Sequence, residues 1–143
     1  MKKLLEVQEL YDRFIGTVED LEKKRNITDG LFGFGRKPSD DPCHDRFAED
    51  LKKLLERQDQ EGFEPGEAAA VLEYIFFIPE RHKEPVSIYW MLLAVQSLSE
   101  NLIRHLSKAE ASSLESRYEE QYPRRDRLPP QKRILKALKA MCR

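Results

Sequence analysis

The stretch PVSIYWMLLAVQSLSENLIRHL, residues Pro85–Leu106, is the apolar centre of this 143-residue chain. It is densest from Ile88 to Leu98, where only a Gln and a Ser interrupt the apolar residues. Proline is favoured in the first turn of a helix, where an N–H would have no helical partner. We therefore expect one central helix, about 33 Å long, that is apolar nearly all round at its start. Trp90 and Met91 are expected in the core.

The segments on either side are predicted helices joined to this centre by short connections. Upstream, a helix over 67–78 ends at Pro79, and the connection PERHKEP leads into the central stretch. Downstream, Ser107 followed by Glu110 matches the capping box that begins a helix, which we expect to end near residue 121. Short connections favour antiparallel neighbours.

Three further helices are predicted nearer the two ends of the chain. One covers residues 2–25, a second begins at Pro42 behind the N-cap Asp41, and the last covers Gln131–Met141. The prediction is an all-α, single-domain bundle of five to six helices around a central apolar helix at about 85–106. Residues 1–143 form the domain, with 122–143 as a semi-detached basic C-terminal helix.

Charge is balanced over the whole chain but uneven along it. The chain has 25 Lys or Arg and 26 Asp or Glu, which argues against a protein defined by one strong field. From Arg117 to the end, nine basic and three acidic residues give a net charge of +6, which leaves −7 on the first 116 residues. A basic end on an acidic body can bind a polyanion, or it can fold back onto that body.

The first predicted helix carries an apolar seam with heptad-like spacing. Its members are Leu4, Val7, Tyr11, Phe14, Val18 and Leu21. Two interpretations remain open: a helix that packs along its own domain, or a homodimer seam through residues 4–21.

The sequence predicts a cytoplasmic protein with reduced thiols, no membrane span and no cofactor. Cys43 and Cys142 are far apart and belong to no close-spaced pair. The N-terminal residues lack the uncharged apolar run of a signal peptide. The apolar run over 88–98 is too short to cross a bilayer, which takes about 20 residues.

The string DDPCHDR, residues 40–46, places a thiol, an imidazole and carboxylates at a predicted helix start. Helix N-termini favour a thiolate. Neighbouring side chains on a helix do not face each other, so Cys43 and His44 are not expected to act as nucleophile and base. A pocket hypothesis joins them to the Phe-rich loop over 26–41. Its candidate residues are Cys43, His44, Phe32, Phe34 and Arg36.

No catalytic residue and no metal ligand is predicted. The residues that could bind a metal are Cys43, His44, His82, His105 and Cys142, and none belongs to a CxxC, HxxxH or HExxH motif. His82 and His105 are also the only other histidines that could serve Cys43 as a base. The string GFGRK, residues 33–37, lacks the spacing and context of a phosphate-binding loop.

The basic end is the strongest functional lead in the sequence. Its candidate polyanion-binding residues are Arg124, Arg125, Arg127, Lys132, Arg133, Lys136 and Lys139. A basic amphipathic helix can bind a phosphate backbone, an anionic membrane or an acidic protein surface. In the alternative interpretation, its apolar face docks on the core and its charges meet the acidic body.

In the absence of a catalytic motif, we expect a small helical protein-protein interaction or assembly module. Its partner would be another protein or a second copy of the chain. The alternative function is nucleic-acid or other polyanion binding through residues 124–139. A third hypothesis is a small-ligand or enzymatic pocket beside Cys43.

Overall fold

The chain is an all-α helical bundle, as predicted. The computed structural model describes residues 1–32, 42–84 and 86–143, without the side chains of residues 22, 24–32 and 42. Those ranges contain no strand. The α-helices are α1 (Lys2–Phe32), α2 (Pro42–Glu61), α3 (Glu67–Phe76), α4 (Val86–Ala94), α5 (Lys108–Gln121) and α6 (Pro129–Cys142). Three segments are 3-10 helices: Glu80–His82, Val95–His105 and Arg124–Asp126.

The central stretch forms an α-helix followed by a 3-10 helix, whereas the sequence predicts one α-helix over about 85–106. After α4 ends at Ala94, the chain continues as an 11-residue 3-10 helix, Val95–His105. A 3-10 helix has three residues per turn, so side chains three apart lie above one another. Gln96, Ser99 and Leu102 form such a row, and each is at most 1% exposed. The tighter winding therefore turns one continuous row of side chains toward the core.

Gln96 joins three helices to this 3-10 segment through a buried hydrogen-bond network. Its Nε2 donates to the carbonyl oxygen of Phe76 at the end of α3 (3.3 Å) and to Oη of Tyr122 (3.0 Å). Its Oε1 accepts from Oη of Tyr118 in α5 (2.7 Å) and from Nε2 of Gln131 in α6 (3.2 Å). A buried amide is tolerated when its donors and acceptor are all used. The network thus fixes the ends of α3, α5 and α6 about one side chain.

The apolar seam of α1 is buried within the chain. Val7 and Val18 are fully buried, and Tyr11 is 3% exposed. The ring of Tyr11 meets Phe47 of α2 and Tyr74 of α3 edge-on, with centroids 5.1 Å apart in each pair. The packed-helix interpretation of the seam is therefore supported, because α2 and α3 already cover the stripe that a dimer through residues 4–21 would use.

Helix α1 continues past its predicted end at residue 25, so residues 26–32 of the predicted loop have helical backbone. Residues 17–29 include neither Gly nor Pro, so the strongest helix-breaking residues are absent where the extension begins. Residues 33–41, which include the GFGRK string and Asp41, lie outside the described residues. Helix α2 begins at Pro42, as predicted.

Local hydrogen bonds mark the end of α2 and the start of α5. Gly62 follows α2 with φ 82°, a left-handed conformation that favours glycine, and its N–H donates to the carbonyl oxygen of Gln58 (3.0 Å). At the start of α5, the N–H of Glu110 donates to Oγ of Ser107 (3.1 Å), and the N–H of Ser107 donates to the Glu110 carboxylate (2.8 Å). These reciprocal bonds are the predicted capping box.

Helix α6 lies against α5 and the 3-10 segment Val95–His105. Ile134 and Leu138 are fully buried, and Leu135 is 5% exposed. Two ion pairs join its outer side to the body: Arg133 with Glu100 (2.8 Å) and Lys139 with Glu119 (3.3 Å). The apolar face of the basic C-terminal helix is therefore docked on the core.

Candidate protein-interaction surface

An exposed apolar surface lies where the start of α4 meets the start of α6. Its members, here called the α4 patch, are Val86, Tyr89, Trp90, Leu93 and Leu128, and they line a depression of about 370 Å³. Val86 is 57% exposed, Trp90 55% and Leu128 36%. The expectation that Trp90 lies in the core is therefore wrong.

The geometry of α4 explains this exposure. Residues four apart share one face of an α-helix, and Val86, Trp90 and Ala94 all lie on the solvent side. Ile88 and Leu92 lie on the opposite face and are at most 1% exposed. Helix α4 is apolar on both faces, and among the described residues Ile88 and Leu92 are packed in the core whereas Val86 and Trp90 are exposed.

Among the described residues that line the depression, Lys83 and Asp126 are charged. Nζ of Lys83 lies 2.6 Å from a carboxylate oxygen of Glu80 and 5.9 Å from the ring centroid of Tyr89. The hydrogen bond to Glu80 raises the pKa of Lys83, so the ammonium stays charged. Asp126 also lines the depression, and one of its carboxylate oxygens lies 4.0 Å from Nε of Arg125. The patch thus has an apolar centre and a rim that carries both signs of charge.

The structure divides the predicted polyanion-binding residues into three groups. Arg127, Lys132, Lys136 and Lys139 line one groove along α6, together with Arg143. Arg124 and Arg125 lie exposed on the 3-10 turn that precedes α6. Arg133 is held apart by its ion pair with Glu100. Four of the seven predicted cations are therefore brought together.

Cys43 and His44 contact each other at the start of α2, which the sequence argument did not expect. Sγ of Cys43 lies 3.6 Å from Nδ1 of His44. The imidazole is 6% exposed and meets the ring of Phe14 edge-on at 5.3 Å. Nε2 of His44 is buried without a hydrogen-bond partner among the described residues. Among the described residues, the contact therefore has no group that orients the base as nucleophilic catalysis requires.

The other two histidines have separate structural partners. Nε2 of His105 lies 2.7 Å from a carboxylate oxygen of Asp59, and its ring meets Phe63 edge-on. Asp59 follows Cys43 by 16 residues of α2, which corresponds to about 24 Å along the helix. His82 is buried beside Arg81, whose Nε donates to Nε2 of the imidazole (3.2 Å). His105 is therefore not placed beside the thiol, and the bond recorded for His82 is with Arg81.

The candidate metal ligands are dispersed as well. Sγ of Cys142 donates to a carboxylate oxygen of Glu115 (3.3 Å), a contact between α6 and α5. Among the residues whose side chains are described, no group of three or more His, Cys, Asp or Glu is placed to hold a metal ion.

Three members of the pocket hypothesis cannot be placed beside Cys43. The side chain of Phe32 and all of Phe34 and Arg36 lie outside the described residues. A shallow depression beside Cys43 is lined instead by residues of α1 and α2, among them Arg13, Phe14 and Arg46.

The α4 patch is the surface that sequence reasoning missed. High overall hydropathy predicts burial only for a helix that has neighbours on all of its apolar sides. The signal was present in the spacing, because Val86 and Trp90 share a face that does not include Ile88 or Leu92.

The molecule thus offers two exposed surfaces with distinct chemistry, the apolar α4 patch and the cationic groove of α6. No helix in the described ranges is long and apolar enough to cross a membrane. The chain matches no protein-family model, no curated protein and no solved structure.

Proposed function

We propose that this protein is a cytoplasmic assembly module that binds a second copy of itself through the α4 patch. The observation that carries this proposal is the 55% exposure of Trp90 beside two other exposed apolar side chains. Exposed apolar surface of this kind marks interaction sites, and tryptophan is enriched among the residues that dominate binding energy.

The rim of the α4 patch favours a second copy as the partner. A two-fold interface joins the same surface on both subunits, so it must be complementary to itself. Lys83 and Asp126 give the rim one charge of each sign. In a two-fold arrangement, Lys83 of each copy can face Asp126 of the other. The exposed ion pair between Lys83 and Glu80 costs little to exchange for this contact.

The seam of α1 is a poorer candidate for the same role. Val7 and Val18 are fully buried inside the chain, and exposing them would open the core. Leu5 and Met1, which are 53% and 61% exposed, lie outside the α4 patch and include no aromatic side chain. Self-association is therefore assigned to α4 and Leu128.

The proposed dimer is weak and reversible. Three well-exposed apolar side chains form a small contact, and interfaces that bury less than about 1,200 Å² in total belong to transient complexes. We expect a dissociation constant in the micromolar range, on the order of 10 μM.

Sedimentation velocity over a wide range of protein concentration tests the proposal. The unmodified chain should shift from monomer to dimer as concentration rises. Trp90→Ser should remain monomeric at the concentrations where the unmodified chain dimerises. Leu5→Ser is the matched control, because Leu5 is as exposed as Trp90, and this variant should dimerise normally. A chain that stays monomeric at every concentration, or equal dimerisation of both variants, would contradict the proposal.

A charge exchange tests the two-fold arrangement itself. Asp126→Lys should weaken the dimer, because it leaves two lysines facing each other across the interface. The double variant Lys83→Asp and Asp126→Lys should restore much of the lost affinity. Failure of the double variant to recover would reject this pairing while leaving the apolar contact to be judged by Trp90→Ser.

A further inference from the structure

A row of cations follows the exposed side of α6. Arg127, Lys132, Lys136, Lys139 and Arg143 line one groove, here called the α6 groove. Its remaining lining residues are Leu135 and Ala140, so no carboxylate is among the described residues that line it. From Lys132 to Arg143 the row spans about 16 Å, with successive cations about 4.5 to 6 Å apart along the axis.

Most of this charge is available to a ligand. Lys132 and Lys136 are exposed and form no ion pair with any described residue. Lys139 pairs with Glu119 at 3.3 Å, but both side chains are more than 40% exposed, so the pair contributes little and exchanges readily. Arg127 uses Nε to donate to the carbonyl oxygen of Tyr122 (2.8 Å), a bond that orients its guanidinium.

We propose that the α6 groove binds the phosphodiester backbone of a nucleic acid without reading its base sequence. Phosphate contacts require closely spaced cations and little else, because the release of counterions supplies the binding free energy. Base edges are read by Arg or Lys at guanine and by Asn or Gln at adenine. Nε of Arg127 is already used within the chain, in its bond to the carbonyl oxygen of Tyr122. The one glutamine of α6, Gln131, is 1% exposed and is occupied within the core network. This site is independent of the proposed dimer contact.

The composition of the groove favours a phosphate backbone over the other polyanionic surfaces. A protein partner needs an apolar core to its interface, and a helix that binds membranes inserts apolar side chains beside its cations. Along the row, Leu135 is 5% exposed and Ala140 offers a single methyl group. The groove therefore offers cations and the methylene stems of its Lys and Arg side chains, and none of its described lining residues is an exposed large apolar side chain.

Fluorescence anisotropy with labelled 20-nucleotide DNA, single-stranded and duplex, tests this inference at low salt. Binding should be similar for unrelated sequences and should fall steeply as salt is added. Five phosphate contacts correspond to a slope of log K against log salt of about −4.5 for duplex and about −3.5 for single strands. Neutralising Lys132, Lys136 and Lys139 to Gln should weaken binding about tenfold or more and reduce the slope for duplex to about −1.8.

The control variant neutralises three exposed lysines elsewhere, Lys2, Lys52 and Lys108, and changes the net charge by the same amount. It should bind DNA nearly as the unmodified chain does, and so should Trp90→Ser. The absence of binding at the lowest salt, or equal loss in both triple variants, would overturn the inference. Binding to phosphatidylserine-containing vesicles but not to DNA would also overturn it, in favour of a membrane ligand. Circular dichroism confirms that each variant remains helical.

Discussion

Trp90 and Gln96 lie six residues apart in the most apolar stretch of the chain, yet they occupy opposite environments. Trp90 is 55% exposed and Gln96 is fully buried. From hydropathy alone, Trp90 would be expected in the core and Gln96 on the surface. The comparison shows that position in this bundle depends on whether a helix face has neighbours and whether a polar group finds partners.

The carbonyl oxygen of Phe76 illustrates the second condition. It lies at the end of α3, where helical carbonyls lose their partners. Nε2 of Gln96 and Oη of Tyr122 both donate to it. A leucine at position 96 would leave this region with fewer donors and would leave the Tyr118 hydroxyl without its acceptor. Burying Gln96 therefore satisfies groups that the helix ends expose.

The largest effect is expected from the two faces of α4. Ile88→Ala should lower the free energy of unfolding by about 3 kcal/mol, because it leaves a cavity at a fully buried site. Val86→Ala, on the exposed face, should change it by less than about 0.5 kcal/mol. Urea unfolding followed by circular dichroism measures both variants. Equal losses would mean that the exposed face of α4 is covered in solution.

A smaller but still substantial loss is expected for Gln96→Leu. The variant keeps the volume of the side chain but removes four hydrogen bonds, and it orphans the buried Tyr118 hydroxyl at a cost of about 2 kcal/mol. Tyr118→Phe in the Gln96→Leu background removes the orphaned group, so the double variant should lose less than the sum of the single variants. Strict additivity in this cycle would contradict the network.

The next largest effect is a pH dependence of stability that we expect from His82. Like Gln96 it is a buried polar side chain, but unlike Gln96 it can be protonated. Burial and then the positive charge of Arg81 lower its pKa below 6.5, while Asp12 and Glu19 act in the opposite direction. A lowered histidine pKa means that the unfolded state binds more protons below pH 6.5. The contribution of neutral His82 to the free energy of unfolding is therefore complete above about pH 6.5. It is lost as the pH falls through the pKa of His82 in the folded state.

Urea unfolding between pH 7.5 and pH 5 measures this contribution. His82→Gln keeps an acceptor for Arg81 but cannot be protonated, so its stability should depend less on pH over that interval. The same pH dependence in the variant and the unmodified chain would remove His82 from the explanation.

The smallest effect on stability is expected for substitution of Trp90. Trp90→Ser should change the free energy of unfolding by less than about 0.5 kcal/mol, measured at a concentration where the chain is monomeric. At higher concentration, the unmodified chain should gain stability from dimerisation, whereas this variant should not. A large loss in the monomer would show that Trp90 supports the fold.

Much of the bundle follows from the sequence because its signals are local. The capping box at Ser107 and the proline at the start of α2 mark helix ends through bonds within a few residues. The burial of Gln96 depends on hydrogen-bond partners 20 to 35 positions away. Such pairings cannot be read from spacing alone.

The candidate sites divide in the same way. The cations of α6 are recognisable because residues at helical spacing share a face. The spacing of Val86 and Trp90 marks a separate face of α4, but that face is as apolar as the buried one, so the spacing alone does not say which of the two is exposed. Adjacent side chains on a regular helix do not face each other. Cys43 and His44 contact each other nevertheless, because they lie at the start of α2 and their side chains turn toward each other.

The fluorescence of Trp90, the single tryptophan of the chain, tests the central comparison most directly. In dilute solution, its emission should be that of an indole largely in water, and acrylamide should quench it nearly as well in the folded as in the urea-unfolded chain. Its emission should move to shorter wavelength as concentration rises and the α4 patch is covered. A short-wavelength emission in dilute solution that acrylamide reaches only after unfolding would contradict the account.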